Sequence, residues 1–567
     1  MATTMTQDPV WIARAHVPGN TDARSPLAGR RFAVKDNIDV AGVPTTAACP
    51  DFAYVPERSA AVVERLLAAG ASVEGKTNLD QFACGLNGTR SPYGAVPNAI
   101  DPRYVSGGSS AGSAVAVARG EVDFALGTDT AGSGRVPAAF NNVVGLKPSR
   151  GLLSNRGVVP ACRSIDCVSV FAPTVADAVD VLHAAAAHDP LDGTSLDRPL
   201  DARWFPEQFS FGVPAAADLE FFGDGAAADA FAAALGTLRA LGGRAVEIPY
   251  GAFRAAAALL YEDAFVAERY AAIREFFDAR PASLHPVVRA IVAAGERFRA
   301  VDWCEASERL AALRGRCDAL LAGVDVFVVP SAPTIYTIER MLAEPVELNR
   351  RLGLYTNFVN LLDYAALAVP SGVRRDGLPA GITLVGAACS DLALADLGQR
   401  VHHAAGVTLG ATGRALPAPR EIARPPASTV QVAVVGAHLS GMPLNGQLLE
   451  RGACRVSVTR TAPDYRLFAL AGSVPPKPGL LRVGPGEGAA IELEVWRMPV
   501  REYGSFVAAI PPPLGIGTLY LEDGSRVQGF LCEPSALAGS PDISAHGGWR
   551  AYVASGGSAR VAPASAS

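Results

Sequence analysis

Two runs of glycine and small hydroxyl residues lie close together in this chain of 567 residues. The first is Ser106–Ser113, SGGSSAGS, and the second is Gly127–Gly134, GTDTAGSG. Glycine lets backbone N–H groups approach a ligand closely, and N–H groups bent into a loop stabilise developing negative charge. Serine hydroxyls beside such a loop can act as nucleophiles. The segment therefore contains the groups that a serine-based active site needs.

Two other interpretations of these runs fit less well. A phosphate-binding loop has the pattern Gly-x4-Gly-Lys-Ser/Thr, which does not occur in this segment, and the glycines there lack the spacing of a dinucleotide-binding loop. Gly108–Gly112 matches the Gly-x-Ser-x-Gly nucleophile elbow, but that elbow follows a buried strand. The preceding Asn98–Tyr104 is polar and contains Pro102. The third interpretation is an amidase that uses two serines and a lysine.

Three motifs together resemble the amidase signature family: Gly107–Ser113, Gly127–Ser133 and Gly145–Pro148. The resemblance covers the chain from about residue 28 to about residue 410. It implies that Ser133 is the nucleophile, that Ser109 follows a cis peptide bond, and that Lys35 is the base. The two serines are 133 − 109 = 24 residues apart, which is the separation found in that family.

The resemblance also implies how the proton of Ser133 moves. Lys35 accepts it through Ser109, and Lys35 must then be neutral, which burial favours because it disfavours the ammonium form. Asp129 and Arg135 are expected to brace the nucleophile loop. Four backbone N–H groups are expected to form the oxyanion hole, those of Thr130, Ala131, Gly132 and Ser133.

Other candidate catalytic groups are less convincing. None of the eight histidines lies in these motifs, so a Ser-His-Asp triad would have to assemble from distant residues. Lys76 follows a predicted strand, and we assign it to a polar loop rather than to the chemistry. No metal site and no organic cofactor are implied.

The segment Leu260–Tyr270 resembles the allophanate hydrolase branch of the amidase signature family. Tyr261 and Arg269 are eight residues apart, so in one continuous helix they would share a face. The resemblance implies that they hold the carboxylate of allophanate, which is a urea with a carboxylate on one nitrogen. Hydrolysis of its terminal amide would give ammonia and N-carboxycarbamate, and loss of CO2 would complete the conversion to ammonia and CO2.

Three alternatives remain open. The chain could be a related amidase that acts on another small amide, such as biuret or a malonamide. It could be a subunit of a glutaminyl-tRNA amidotransferase, although the extra C-terminal domain and the absence of a basic face disfavour this. It could also be a non-catalytic binding protein with an inactive amidase core, which the complete set of Lys35, Ser109 and Ser133 disfavours.

Composition limits the class of protein. The residues are 49% hydrophobic and the formal net charge is −5, so nucleic acid and anionic membranes are not expected partners. The nine cysteines are scattered without a Cys-x-x-Cys pair, which is typical of reduced thiols. Neither a signal peptide nor a membrane span is evident. We therefore expect a cytoplasmic protein.

The predicted fold is α/β, with a central mixed sheet flanked by helices in an amidase signature domain over residues 1–410. A Pro-rich linker follows at 411–429, then a C-terminal α+β domain at 430–557, and a disordered tail at 558–567. The C-terminal domain resembles the module of allophanate hydrolases related to γ-glutamyl cyclotransferase-like folds. His438 lies in its Gly-rich loop and is the candidate for a second site. The resemblance further implies a homodimer and functional coupling to a urea carboxylase.

Overall fold

The computed structural model describes residues 4–5, 8–198, 200, 205–423 and 429–556. The chain forms two compact units, residues 1–200 with 207–423, and residues 201–206 with 424–567. The predicted tail at 558–567 lies outside the described residues, as do residues 424–428 of the predicted linker. The predicted domain boundaries at 410 and 430 stay predictions.

In the described residues of the larger unit, one mixed sheet contains twelve strands. These strands are β1 (Thr4–Met5), β2 (Trp11–Val17), β3 (Arg31–Lys35), β4 (Ser72–Thr77), β5 (Phe124–Asp129), β6 (Val144–Lys147), β7 (Cys167–Ala172), β8 (Phe209–Pro214), β9 (Gly243–Ile248), β10 (Val326–Pro330), β11 (Ala365–Val373) and β12 (Pro379–Gly386). Their order across the sheet is β1-β2-β4-β3-β5-β7-β6-β11-β12-β10-β8-β9. The sheet contains both parallel pairs, such as β3 with β5, and antiparallel pairs, such as β5 with β7, which confirms the predicted mixed sheet.

The α-helices described in this unit are α1 (Ala61–Ala68), α2 (Ala111–Ala118), α3 (Val136–Phe140), α4 (Val175–Ala185), α5 (Gly225–Ala240), α6 (Gly251–Glu262), α7 (Ala267–Ala279), α8 (Pro286–Ala293), α9 (Ala300–Leu321), α10 (Ile338–Ala343), α11 (Glu347–Leu352), α12 (Phe358–Leu361) and α13 (Asp391–Ala404). All eight residues of α2 are buried, and their small side chains allow its close packing. At Gly112 a Cβ atom would lie 2.2 Å from the Val10 carbonyl oxygen, so no larger residue fits there.

Strands β3 and β5 position the ends of the two chemical motifs. They pair in parallel, with Phe32 opposite Phe124 and Val34 opposite Leu126. The two phenylalanine rings stack with centroids 5.0 Å apart. Because parallel strands end at the same edge of a sheet, Lys35 at the end of β3 lies beside the residues that end β5.

The assignment of Lys76 to a polar loop is wrong. Lys76 lies inside β4 and is fully buried, with its Nζ 3.0 Å from Asp36 Oδ1 and 3.0 Å from Thr45 Oγ1. A buried cation needs such partners because it has lost its hydration. The segment Gly70–Thr77 also spells the pattern Gly-x4-Gly-Lys-Thr, but its end forms a strand rather than a phosphate-binding loop.

The smaller unit contains, in its described residues, a five-stranded sheet with the order β14-β17-β13-β19-β18 and a two-stranded sheet of β15 and β16. Its elements are β13 (Thr429–Val434), α14 (Gly446–Leu449), β14 (Cys454–Arg460), β15 (Tyr465–Ala469), β16 (Pro478–Arg482), β17 (Glu492–Pro499), α15 (Val500–Ala508), β18 (Leu514–Tyr520), β19 (Arg526–Cys532) and α16 (Trp549–Ala554). The predicted smaller α+β unit is thus present, with a core that includes Val434, Trp496 and Phe530.

Two further expectations concern the whole chain. All nine cysteines are free thiols, and six of them are buried. Across the described ranges, no helix is both long enough and apolar enough to cross a membrane.

Candidate active site

Three sequence motifs deliver their side chains to one buried point in the larger unit. Lys35 ends β3, Ser109 lies two residues before the start of α2, and Ser133 lies in the loop that follows β5. The Gly108–Ser109 peptide bond is cis, as the sequence resemblance predicts. The exposed fraction of all three side chains is 2% or less.

These three residues form a continuous hydrogen-bonded chain. Lys35 Nζ donates to Ser109 Oγ at 2.8 Å, and Ser109 Oγ donates to Ser133 Oγ at 3.0 Å. Lys35 Nζ also donates to Thr128 Oγ1 at 2.7 Å. When Lys35 is neutral, the direction of donation can reverse. Ser133 Oγ then donates to Ser109 Oγ, which donates to Lys35 Nζ, and this chain can carry the Ser133 proton to Lys35.

The environment of Lys35 favours the neutral form. Burial lowers the pKa of Lys35 to about 7, although the carboxylates of Asp80, Asp129 and Asp166 act in the opposite direction. A lysine with a pKa near neutrality can accept and return a proton at physiological pH. In the described residues no carboxylate lies within ion-pair distance of its Nζ.

The loop that contains Ser133 is held by Asp129, which is the bracing role that the family resemblance implies. Its carboxylate accepts from the Gly132 and Gly134 N–H groups, both at 2.9 Å, and from two nitrogens of Arg135, also at 2.9 Å. Burial acts to raise the pKa of Asp129, but the Arg135 and Lys147 cations and the Gly134 N–H group keep it below its ordinary value. The carboxylate therefore stays ionised and braces the loop.

The expected oxyanion hole needs one correction. The Gly132 N–H group donates to Asp129, so in this structure it is occupied. The N–H groups of Thr130, Ala131 and Ser133 have no acceptor within the described part of the chain. These three remain as candidate donors to an oxyanion. Gly132 is required for another reason, because its φ of +130° is one that other residues rarely adopt.

Tyr261 and Arg269 meet, but not on one helix as predicted. Tyr261 belongs to α6 and Arg269 to α7, and the chain turns between them at Asp263. Arg269 Nη2 donates to the Tyr261 hydroxyl at 3.1 Å, and the guanidinium carbon lies 5.0 Å from the centre of the tyrosine ring. Tyr261 and Arg269 therefore contact each other between α6 and α7 rather than along one helix.

Arg269 has an unusual environment for a cation. Its exposed fraction is 3%, and its Nε and Nη1 atoms have no hydrogen-bond partner among the residues that the structure describes. Burial acts to lower the pKa of Arg269, but neighbouring anionic and ionisable groups, chiefly Tyr261, hold it above its ordinary value. Each of these free donor atoms can donate a charge-assisted hydrogen bond to an anion.

The candidate second site lies in the smaller unit. His438 is located just after β13 and lines a cavity of about 240 Å³ with Gln447, Lys477 and Phe530. Its Nε2 lies 3.0 Å from Gln447 Oε1, and its ring stacks on Phe530. Burial and the nearby Lys477 lower the pKa of His438, while its contact with Gln447 acts in the opposite direction.

Two polar residues beside the site were missed by sequence reasoning. Thr128 accepts a hydrogen bond from Lys35. Its position near the end of β5, which pairs in parallel with β3, could have indicated this contact from the sequence. Asp166 accepts the Thr130 hydroxyl at 2.5 Å, and its position 36 residues further along the chain hides this contact from motif reading.

Comparisons with known proteins show the family of this chain. The family model described as Amidase matches residues 1–394, and the one described as Allophanate hydrolase C-terminal domain matches residues 430–554. The chain belongs to the amidase family.

Known relatives of this amidase include the urea amidolyase of Saccharomyces cerevisiae, which is 45% identical over 544 residues, 93% of this chain and 30% of that protein. The urea amidolyase of Lachancea kluyveri is also 45% identical and is covered over 31% of its length. The chain thus spans about a third of the length of these two relatives. A solved allophanate hydrolase from Kluyveromyces lactis is 43% identical, with a TM-score of 0.74, over 98% of this chain and 95% of that one.

The buried lysine predicts how the reactivity of this amidase depends on pH. Labelling of Ser133 by a fluorophosphonate should fall about tenfold per pH unit below the pKa of Lys35, which is about 7, because protonated Lys35 cannot accept the serine proton. Labelling rates measured between about pH 5 and about pH 9 test this. A flat profile in wild type, or the same inflection in Lys35→Ala, would contradict the role of Lys35.

Proposed function

We propose that this amidase hydrolyses the terminal amide of allophanate through an acyl-enzyme on Ser133. The observation that carries the proposal is the buried guanidinium of Arg269, whose Nε and Nη1 atoms have no partner in the described part of the chain. Allophanate has a carboxylate that can accept from one of these donors. The similarity to the Kluyveromyces lactis allophanate hydrolase over nearly the whole of both chains supports the same substrate.

The chemistry follows from the hydrogen-bonded chain. Ser133 Oγ attacks the amide carbonyl carbon while its proton passes through Ser109 to Lys35. The N–H groups of Thr130, Ala131 and Ser133 stabilise the oxyanion. Collapse of the tetrahedral intermediate breaks the carbon–nitrogen bond, and the stored proton leaves with ammonia.

A water molecule then attacks the acyl-enzyme, and the same relay takes up its proton. Collapse releases N-carboxycarbamate and returns the proton to Ser133. Loss of CO2 from that product gives ammonia and CO2 overall. Every proton step uses the contacts of Lys35 with Ser109 and of Ser109 with Ser133.

Arg269→Ala tests the choice of substrate. The KM for allophanate should rise roughly 10- to 150-fold, the equivalent of losing a charge-assisted hydrogen bond of about 1.5–3 kcal/mol. The KM for biuret should change little, because biuret replaces the carboxylate with a neutral amide. Steady-state assays on both amides provide the measurement.

Arg274→Ala is the matched control, because it removes an exposed arginine from the same helix. An equal loss on allophanate and biuret in Arg269→Ala would exclude Arg269 as the carboxylate anchor. It would leave biuret or a malonamide as the substrate to consider.

We propose that the cavity at His438 binds the anionic product. Lys477 and His438 line a space of a size suited to a small dicarboxylate. Malonate has the shape and charge of N-carboxycarbamate but is stable. The test is calorimetry with malonate on the Arg269→Ala variant, which lacks the proposed carboxylate anchor of the amidase unit. This variant should bind malonate, and adding Lys477→Met should abolish the binding. Equal binding with and without Lys477 would overturn this assignment.

We also propose three properties of the protein in its cellular setting. Because allophanate is urea carboxylated on one nitrogen, a urea carboxylase is the class of enzyme that supplies it. The proposed location is the cytoplasm, and the proposed assembly is a homodimer.

A further inference from the structure

The turn formed by residues 161–166 contacts both the helix that contains Arg269 and the nucleophile loop. On one side, the Ser164 N–H and hydroxyl groups donate to the carboxylate of Glu268, at 2.9 and 2.5 Å. Glu268 directly precedes Arg269 in α7. The turn is therefore fixed to the helix of the proposed substrate anchor.

On the other side, the turn ends at Asp166, which contacts the nucleophile loop. Asp166 Oδ1 accepts from the Thr130 hydroxyl at 2.5 Å, and the same carboxylate accepts from the Ala161 N–H at 2.8 Å and the Cys162 N–H at 3.1 Å. The exposed fraction of Asp166 is 4%. Because Asp166 is buried, water cannot easily replace the protein groups that donate hydrogen bonds to its carboxylate.

Thr130 is the residue whose orientation this contact controls. It is the first residue after β5, and its N–H group is one of the three that lack an acceptor among the described residues. Its neighbour Asp129 is fixed by Arg135, and the side chain of Thr130 is fixed by Asp166. The two carboxylates hold the peptide groups at the start of the loop.

We propose that Asp166 is a positioning residue of the amidase reaction, which holds Thr130 so that its N–H group points at the developing oxyanion. The inference rests on the proposed role of the nucleophile loop. Asp166 does not touch the reacting atoms, and it acts through the Thr130 hydroxyl.

The test uses a fluorophosphonate probe, which reacts with Ser133 and needs the oxyanion hole but not the allophanate carboxylate. Asp166→Asn should lower the labelling rate roughly 10- to 100-fold. Complete loss of one oxyanion donor typically costs ~10²–10³ in rate, and this variant only misplaces the donor. Thr130→Val should cause a similar loss, and the double variant should lose no more than either single variant. Thr130→Ser keeps the hydroxyl and should lose less than Thr130→Val.

Asp391→Asn is the matched control. Asp391 is also a buried carboxylate that accepts from a backbone N–H and a hydroxyl, both from Ser149, at 2.7 and 2.6 Å. This variant should label at the wild-type rate. Circular dichroism of each variant reports whether it is folded.

The pH profile separates positioning from a general structural defect. The carboxylates of Asp80, Asp129 and Asp166 act on Lys35, and the Arg269 cation acts on Asp166. Burial raises the pKa of Asp166 to about 6, so its charge is present where Lys35 titrates. Removing this charge lowers the pKa of Lys35, so the acid limb of the labelling rate should move to lower pH in Asp166→Asn. In Thr130→Val the rate should fall without this movement.

Some outcomes overturn the inference. The first is a folded Asp166→Asn variant that is labelled at the wild-type rate. The second is an Asp391→Asn variant whose labelling rate falls as much as that of Asp166→Asn. The third is a double variant of Asp166→Asn and Thr130→Val in which the two losses of labelling rate add fully. These results do not depend on the natural substrate. If the wild type labels but does not hydrolyse allophanate, the proposed substrate fails while the inference on Asp166 stands.

Discussion

Burial of Lys35 without a carboxylate partner is the constraint on which the site depends. A lysine removed from water loses the hydration of its ammonium form, so its pKa falls to about 7. Within the described ranges, its Nζ donates only to hydroxyl groups, those of Ser109 and Thr128. An ion pair at this position would stabilise the ammonium form and remove the base. Strands β3 and β5 therefore deliver Lys35 and Thr128, and the loop before α2 delivers Ser109, to one buried point.

Unlike Lys35, two neighbouring buried cations each have a carboxylate partner. Lys76 pairs with Asp36, and Arg135 pairs with Asp129, each pair fully buried. Breaking such a pair leaves an uncompensated buried charge, which typically costs about 3–5 kcal/mol. These pairs hold the ends of β3 and β5 in place around Lys35, Ser109 and Ser133. Arg269 differs, since two of its nitrogens lack partners in the described residues. We propose that a bound carboxylate accepts from one of them.

Resemblance to the amidase signature family led to the centre of the site, because that family has glycine and serine motifs at a fixed spacing. The resemblance implied the roles of Ser109, Ser133 and Lys35, and the structure brings these three side chains together. Contacts between elements are harder to predict. Periodicity predicts Tyr261 on one helix with Arg269, but the chain turns at Asp263, and only tertiary packing determines that turn.

Other differences have the same origin. A lysine in a polar stretch looks exposed, and burial of Lys76 depends on Asp36 and Thr45, which lie on other segments. A run of N–H groups looks like a set of equal donors, but Asp129 occupies that of Gly132. Sequence motifs thus indicate which groups are present, and long-range contacts decide which of them are free.

The most direct test of the account is ammonia release from allophanate by the purified protein, measured beside Ser133→Ala. Ser113→Ala is the matched control, because Ser113 is a buried serine near the start of α2 whose hydroxyl contacts the Leu126 carbonyl oxygen at 2.9 Å and the Thr77 hydroxyl at 2.7 Å, outside the proposed relay. We predict rapid release by wild type and Ser113→Ala and a loss of several orders of magnitude in Ser133→Ala. Release by Ser133→Ala at the wild-type rate would contradict the assignment of the nucleophile, and no release by wild type would contradict allophanate as the substrate.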